Sequence, residues 1–446
     1  MTDHGTVDAF DRVHLVWTDL NGVPRGVAIP ADEYGAARDE GVAFANSVVE
    51  FTLEPGLPSD PAYPAQGGDM VAHPDDDSLV PVAWDTGVGL VFSDLTDVSG
   101  ASLPLCTRSL LHEVVSQYHD LGYQPVLGLE PEFSVLDTGG DDAGPFNRRT
   151  SYDLDALDRA SDMMRDWTAA METAGYSVLG VHQESQPGQY ELNLAYDDPV
   201  PAADGVVLLR HALKSTARRH DRDVTMMPRP HSGEDANGLH FHLSLWDRDR
   251  EQNLFAGSDR HLSFPAGQQP RDGGLSSLAL QFIAGIIEHL PALTAVCNPT
   301  VNSYKRLVPD IWAPCNTAWG PDNRSVNLRV PPELGDGARV EFRSPDGAAN
   351  PYLAAAATLA AGLDGIRNRL TPPEPTTGDA YRESGSHSRL PRTLLGALDA
   401  LEGDEALRDA LGELLVDEYV TIKREEFDRY QHHVSDWERT EYADEF

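Results

Sequence analysis

Five stretches lying far apart in the chain alternate apolar residues with residues that can bind ions. The most telling is Val126-Leu-Gly-Leu-Glu-Pro-Glu-Phe-Ser-Val-Leu136. On a strand's two-residue period, Leu127, Leu129, Phe133 and Val135 fall on one face, and Gly128, Glu130, Glu132 and Ser134 on the other. Two carboxylates on one face repel unless a positive charge sits between them. A lone Glu-x-Glu is most often a solvent-facing strand edge, but here the pattern returns four more times. Ser177–Glu184 and Gln189–Tyr196, joined by Ser185-Gln-Pro-Gly188, read as a hairpin. It sets His182 and Glu184 beside Gln189, Glu191 and Asn193, with Tyr190, Leu192 and Leu194 facing away. His240-Phe-His-Leu-Ser-Leu-Trp246 groups His240, His242 and Ser244. Ser325-Val-Asn-Leu-Arg329 groups Ser325, Asn327 and Arg329, and Arg339-Val-Glu-Phe-Arg343 groups Arg339, Glu341 and Arg343.

Any one of these strands is ordinary, since antiparallel sheets often keep one face wet. The content of the wet face is less ordinary: five glutamates, three histidines, three arginines and no lysine. Carboxylates with imidazole suit Mg²⁺ or Mn²⁺, and arginine is the fork that grips phosphate or carboxylate. A concave sheet lined this way would hold two divalent cations and a polyanion. That points to phosphoryl transfer from a nucleotide. Neither a Walker loop nor a dinucleotide fingerprint competes with this reading.

The elements that must position these residues follow from periodicity. Val13–Trp17 and Gly26–Ile29 read as strands around Asp19-Leu-Asn-Gly22, opening a β-rich unit of about 100 residues. Thr107 is placed to cap a helix that ends near Gly122 and leads into the central strand. Helical patterns cover 153–174, 202–220, 274–296 and 351–369, with Gly175 and Gly362 as stop or packing positions. A loop rich in Pro, Gly, Ser and Thr spans 371–392. A helical C-terminal segment follows, with Leu394, Leu398, Leu401, Leu407, Leu411 and Leu415 on one side.

At 446 residues the expectation is one large domain plus a smaller one. The 72 acidic residues outnumber the 34 basic ones, for a net charge of −38, and only Lys214, Lys305 and Lys423 are lysines. Acidic residues are scattered along the whole chain, as in a protein adapted to a high-salt (halophilic) cytoplasm. Such a field disfavours nucleic acid and anionic membranes as partners. Three cysteines without paired spacing indicate neither a disulfide scaffold nor a zinc knuckle. The start, Met-Thr-Asp-His-Gly, has no signal-peptide pattern, and no run of 18 apolar residues occurs, so a soluble cytoplasmic protein is expected.

At these residues the chain resembles the glutamine synthetase family. The motifs are Gly128-Leu-Glu-Pro-Glu-Phe133, His182-Gln-Glu184 with Pro187-Gly-Gln-Tyr-Glu191, and Asn237-Gly-Leu-His-Phe-His242. They continue through Asn298-Pro-Thr-Val-Asn-Ser-Tyr-Lys-Arg-Leu-Val-Pro309, Asn323-Arg324, and Val340-Glu-Phe-Arg343 leading into Ala349-Asn-Pro-Tyr-Leu353. The resemblance implies an α+β fold. A small N-terminal β-grasp domain (1–103) would precede a large catalytic domain (104–446) with a curved antiparallel sheet flanked by helices. It implies a homo-oligomer with active sites between subunits, a dodecamer of two hexameric rings, using ATP and two or three Mg²⁺ or Mn²⁺. By the same resemblance Glu132, Glu184 and Glu191 would hold one cation, and Glu130, His240 and Glu341 the other. Arg306 and Arg343 would bind the glutamate carboxylate and the acyl-phosphate. Arg324, Arg329 and Arg339 would grip ATP phosphates, with His242 and Ser244 near the nucleotide. Arg306, Arg324 and Arg343 are the catalytic arginines of this assignment. Asp235, Ala236 and Gly238 would border the bound glutamate.

Two positions depart from the family pattern. The N-terminal latch, usually Phe-Asp-Gly-Ser-Ser, reads Phe44-Ala-Asn-Ser-Val48, so its acid is Ala45. Val308-Pro-Asp-Ile-Trp-Ala-Pro314 carries Trp312 where the family's glutamate flap has its acid. Anions collect ammonium and take its proton, whereas an indole face suits an alkylammonium. Asp235-Ala236, where the family often has Asn-Gly, alters the surroundings of glutamate's amino group. The expected reaction is therefore ATP-dependent ligation of glutamate to an organic amine or polyamine such as putrescine, through γ-glutamyl phosphate. The competing readings are a glutamine synthetase using ammonia and a catalytically silent regulatory paralogue. Retention of mutually repelling carboxylates argues against the last.

Overall fold

The computed structural model describes residues 7–54, 56–138, 144–257, 273–309, 311–382 and 387–446; the N-terminal Met-Thr-Asp-His-Gly and Asp310 lie outside these. Strands β1 (Arg12–Thr18) and β2 (Pro24–Pro30) form the expected antiparallel hairpin. Gly22 in its turn has φ +74°, and a Cβ there would meet the Asn350 Cα at 2.7 Å, so both the turn and the close approach require glycine. Helix α1 (Tyr34–Glu40) is followed by β3 (Val42–Ala45), β4 (Asp69–Pro74), β5 (Val80–Pro81) and β6 (Val88–Asp97). The sheet order is β2-β1-β6-β4-β3 with β5 on β6, and β1 runs parallel to β6. Tyr34 and Ala37 of α1 bury against Val13, Leu15 and Val91 to give this unit its own small core.

Helix α2 (Thr107–Asp120) then leads through Gly122 (φ +83°) into β7 (Tyr123–Asp137), the central strand. The expected Thr107 cap does not form. Its hydroxyl instead sits 3.3 Å from the Thr18 hydroxyl and accepts from the Asn350 amide at 3.2 Å, because α2 starts against the rest of the molecule. Next come α3 (Leu154–Thr173), β8 (Val178–Gln183), β9 (Gln189–Leu194), α4 (Pro199–Ala217), β10 (Arg222–Thr225) and β11 (Leu239–Asp247). They are followed by α5 (Ser277–Cys297), α6 (Ser303–Arg306), β12 (Trp319–Pro321), β13 (Leu328–Val330), β14 (Val340–Phe342) and α7 (Pro351–Arg367). The large sheet has the order β12-β13-β14-β11-β7-β9-β8, with β10 also on β7. It is mixed rather than wholly antiparallel, since β12 pairs with β13 in parallel.

The alternation along β7 places the core. Leu127, Leu129, Phe133 and Val135 are buried, and Phe133 meets Trp167 of α3 edge-to-face at 5.2 Å. Beyond this layer α5 and α7 touch backbone to backbone. A Cβ on Gly285 would lie 2.1 Å from the Ala361 carbonyl oxygen, and one on Gly362 would strike the Phe282 ring. By length and hydropathy α5 is the one described helix able to cross a membrane, yet most of it is buried here between its neighbours. The six C-terminal leucines are all buried, but the single helical segment expected there breaks at Gly403 and Gly412 into α8 (Leu394–Glu402), α9 (Glu405–Leu411) and α10 (Glu413–His432), before α11 (Asp436–Tyr442). Buried Arg108 of α2 reaches Asp75 at 2.6 Å, Asp94 at 2.9 Å and Asp204 at 3.0 Å, tying α2 and α4 to the N-terminal sheet.

Candidate active site

Strand register brings the nominated side chains into adjacent rows. His240 on β11 faces Glu130 on β7, and His242 faces Glu341 on β14. On the other side of β7, Glu132 faces Glu191 of β9, which faces His182 of β8, while Arg329 of β13 faces Glu341. Cross-strand neighbours at this spacing interact directly. Every nominated residue except Ser244 and Gly238 lines one cavity of about 510 Å³. Ser244 lines an adjoining cavity of about 300 Å³, walled by Leu129, Leu179 and Tyr196; the two cavities share Glu130, His242 and Arg339. Gly238 lies behind the wall. Its N–H donates to Glu132 Oε2 at 2.6 Å, and a Cβ there would come 2.8 Å from Arg306 Nη2.

The carboxylates fall into overlapping groups. Donor atoms of Glu130, His242 and Glu341 lie within 4.8 Å of one another, as do those of Glu130, Glu191 and His240, and those of His182, Glu184 and Glu191. His242 Nε2 is 2.9 Å from Glu130 Oε1, and His240 Nδ1 is 3.5 Å from Glu130 Oε2 and 3.8 Å from Glu341 Oε1. Glu132 faces Glu191 across the strands but belongs to none of these three groups. Its Oε2 is taken by the Gly238 N–H and the Gln189 amide (3.1 Å), and its Oε1 is 3.9 Å from His240.

The arginines are held by the same cluster. Arg329 bridges Glu341 (2.7 Å) and Asp322 (2.9 Å), and Arg343 also donates to Glu341. Arg339 Nε donates to His242 Nδ1 at 3.0 Å. Arg306, almost wholly buried, donates to the carbonyls of Ser344 (2.6 Å) and Arg343 (3.1 Å). Arg324 is exposed at the rim.

Electrostatics separates the carboxyls. Burial would raise Glu130, but the His240 and His242 imidazoles outweigh it and hold the carboxyl far below its usual range. Burial likewise opposes ionisation of Glu341, yet Arg343, His240, His242 and Arg329 bring it down to about 2. Glu184 is lowered by His182 against its burial. Glu132 is raised by burial, and Glu191 is pushed up to about 9 by burial and then by Glu130, Glu132 and Glu184. Five carboxyls cannot all ionise together here without added positive charge. The donor chemistry therefore fits divalent cations.

Two expected members of the wet face are absent from it. Ser325 donates to Asn323 Oδ1 and accepts from the Ala380 N–H, and buried Asn327 donates to the Asn316 carbonyl, because regular pairing in β13 begins only at Leu328. Seven lining residues were not nominated, His182, Gln189 and Tyr152 among them. His182 and Gln189 lie on the face that alternation marked, whereas Tyr152 gave no periodic signal. Tyr152 has φ +62° and stacks on the His182 ring at 5.0 Å and 15°. Trp312 lines the mouth with φ +58° and 60% of its surface exposed. Ala45 is exposed at the end of β3 and does not line its own chain's cavity.

Residues 104–442 match the family model described as glutamine synthetase, catalytic domain. A glutamine synthetase of Halobacterium salinarum is 36% identical over 98% of this chain and 94% of its own length; one from Staphylococcus aureus is 36% identical over 97% and 95%. Among solved structures, a GmaS–ADP complex superimposes with a TM-score of 0.87 at 33% identity, covering 100% of both chains. Ligand-free GmaS gives 0.85 at 34% identity, covering 98% and 97%. A structure described as a novel glutamine synthase homolog gives 0.82 at 30%, covering 98% and 99%.

Proposed function

Since the chain belongs to the glutamine synthetase family, and is thus an ATP-dependent ligase forming carbon–nitrogen bonds on glutamate, we propose that its acceptor is an organic amine, polyamines such as putrescine included, rather than ammonia. The observation that carries this is Trp312: an indole lines the cavity mouth where an acid would collect ammonium, and Ala45 leaves the latch without its acid. An alkylammonium gains from an aromatic face what a bare ammonium gains from a carboxylate. The likeness to GmaS, a gamma-glutamylmethylamide synthetase, supports an amine-accepting branch.

In this reading Glu130, Glu132, Glu184, Glu191, His240 and Glu341 hold Mg²⁺ or Mn²⁺. Bound there, the cations would neutralise charge on the transferred phosphoryl group. The nucleotide base lies in the smaller cavity against Tyr196 and Leu179, near Ser244 and His242. Arg339, at the junction of the cavities, Arg329 and rim Arg324 receive the phosphates. Arg306 and Arg343 orient glutamate, which Asp235 and Ala236 border with Gly238 behind them, so that its γ-carboxylate attacks the γ-phosphate and ADP leaves. Arg343 then stabilises the acyl-phosphate until the amine attacks and phosphate leaves. Residues 1–103 form the latch-bearing unit and 104–446 the catalytic one. Subunits assemble as two stacked hexameric rings, so that each latch borders a neighbour's cavity. The dispersed −38 charge suits a high-salt cytoplasm.

The test is phosphate release from ATP and glutamate with ammonium, methylamine, ethanolamine, putrescine and spermidine supplied in turn. An organic amine is expected to give the highest kcat/KM. Turnover with ammonium alone overturns the proposal, and no turnover with any of them leaves the silent paralogue.

A further inference from the structure

We propose that Glu50 and Glu418 form a carboxyl pair sharing one proton, which clamps the segment after Ala45 to helix α10 and releases it as pH rises. Glu50 closes the 3₁₀ turn Asn46–Glu50 that follows β3, and Glu418 lies in α10. Glu50 is wholly buried; Glu418 is 8% exposed, and its Oε2 has no hydrogen-bond partner. Their anchors are consecutive in the chain. The Tyr63 N–H reaches both Glu50 oxygens, at 3.0 and 3.3 Å, and the Ala62 N–H bonds Glu418. Helix α10 holds the same stretch further along, where Glu425 Oε1 accepts from the Ser59 N–H at 2.7 Å and Arg429 lies 3.7 Å from Glu54.

Among the described residues, the charges that bear on the pair are negative. Asp60 and Asp417 stand beside Glu418, and Asp97 at the end of β6 bears on Tyr63. From the β1–β2 hairpin, Arg25 lies over the Phe51 ring at 5.5 Å but is committed to Asp19 at 2.8 Å. Two buried carboxyls without a cation cannot both ionise cheaply. Burial, and then Glu418, push the Glu50 carboxyl up to about 7, so Glu50 is the member that keeps the proton. Opening the segment returns Glu50 to its ordinary 4.5. The clamp is therefore at full strength below that value, weakens as pH rises towards 7 and is level above it. Release frees the turn next to Ala45, which the ligase reading sets at a neighbour's cavity; that consequence rests on the reading, whereas the clamp does not.

The experiment is amide hydrogen exchange of the full-length protein across roughly pH 4.5 to 8, read by mass spectrometry without substrates and corrected for the intrinsic rate at each pH. It is run on wild type, Glu50→Gln and Glu418→Gln, with helix α5 as the internal reference. In wild type, opening of residues 46–54 and 56–63 should rise about tenfold or more relative to α5 between about pH 5 and 7, one pKa unit being tenfold. Glu50→Gln keeps a neutral acceptor for the Tyr63 N–H, so it should retain its low-pH protection at the top of the range. Glu418→Gln should flatten the rise, and it decides alone if Glu50→Gln does not fold. Wild-type segments that track α5 at every pH, or the same rise in the folded variants, overturn the inference. Either result leaves the ligase reading standing, because no substrate takes part.

Discussion

Replacing Trp312 with alanine separates the acceptor from the rest of the reaction. The ring is 60% exposed, so its attraction for an alkylammonium belongs at the exposed end of the cation–π range, about 0.5 to 1 kcal/mol. One methylene resting on a half-open ring adds roughly 0.4 kcal/mol, half of what full burial would give. Together these amount to about 1 to 1.4 kcal/mol, or a five- to tenfold fall in kcat/KM for an organic amine. The backbone does not confound the comparison, because Trp312 sits at φ +58° and alanine meets the same left-handed strain; glycine would relieve it. The Trp312 carbonyl, 3.5 Å from Arg343 Nη2, is retained too. Phosphate release at varied amine, with ATP and glutamate saturating, gives the number. The KM values for ATP and glutamate and the turnover with ammonium should hardly move. An equal loss with ammonium and with the organic amine would mean that the ring merely packs, and an unchanged organic-amine rate would refute the assignment outright.

Restoring both acids, Trp312→Glu with Ala45→Asp, should raise ammonium-supported turnover relative to wild type; no gain in a folded double variant counts against both roles. His289 is held between Asp404 (2.7 Å) and Asp364 (3.2 Å), which raise its pKa above 6.5 against its burial. The stability it contributes is full below the unfolded value and is lost as pH rises through the folded one. Urea unfolding from pH 5.5 to 8.5 should therefore show a steeper decline in wild type than in His289→Gln, and parallel curves would exclude the clip. Gly285→Ala forces a methyl group to within 2.1 Å of the Ala361 carbonyl oxygen. It should destabilise by about 1 to 3 kcal/mol, partly offset by helix propensity worth about 1 kcal/mol. A raised melting temperature would contradict the seam between α5 and α7.

Much of the site was legible because a strand's period needs no tertiary knowledge. The alternation along Val126–Leu136 marked core and site together, and Ser185-Gln-Pro-Gly188 implied the hairpin that carries Glu184 and Glu191. The helices fell within a few residues of their expected spans because their apolar faces are continuous. What failed depended on partners distant in sequence. Thr107 could not be known to lie against Asn350, nor Asn327 to be claimed by the Asn316 carbonyl. The parallel β12–β13 pair, and the backbone carbonyls that hold buried Arg306, leave no mark in local pattern. His182 was on the marked face, but only distances could set it beside Glu184.

Strand β7 is at once the spine of the apolar interior and the shelf on which the acidic residues rest. Its two faces share one backbone, so a slip of a single residue would carry Glu130 and Glu132 inward and expose Phe133. Fold and chemistry are thereby inherited as one unit. A side chain at the mouth such as Trp312 can be exchanged without moving the floor, whereas a one-residue insertion in β7 would turn its carboxylates into the core.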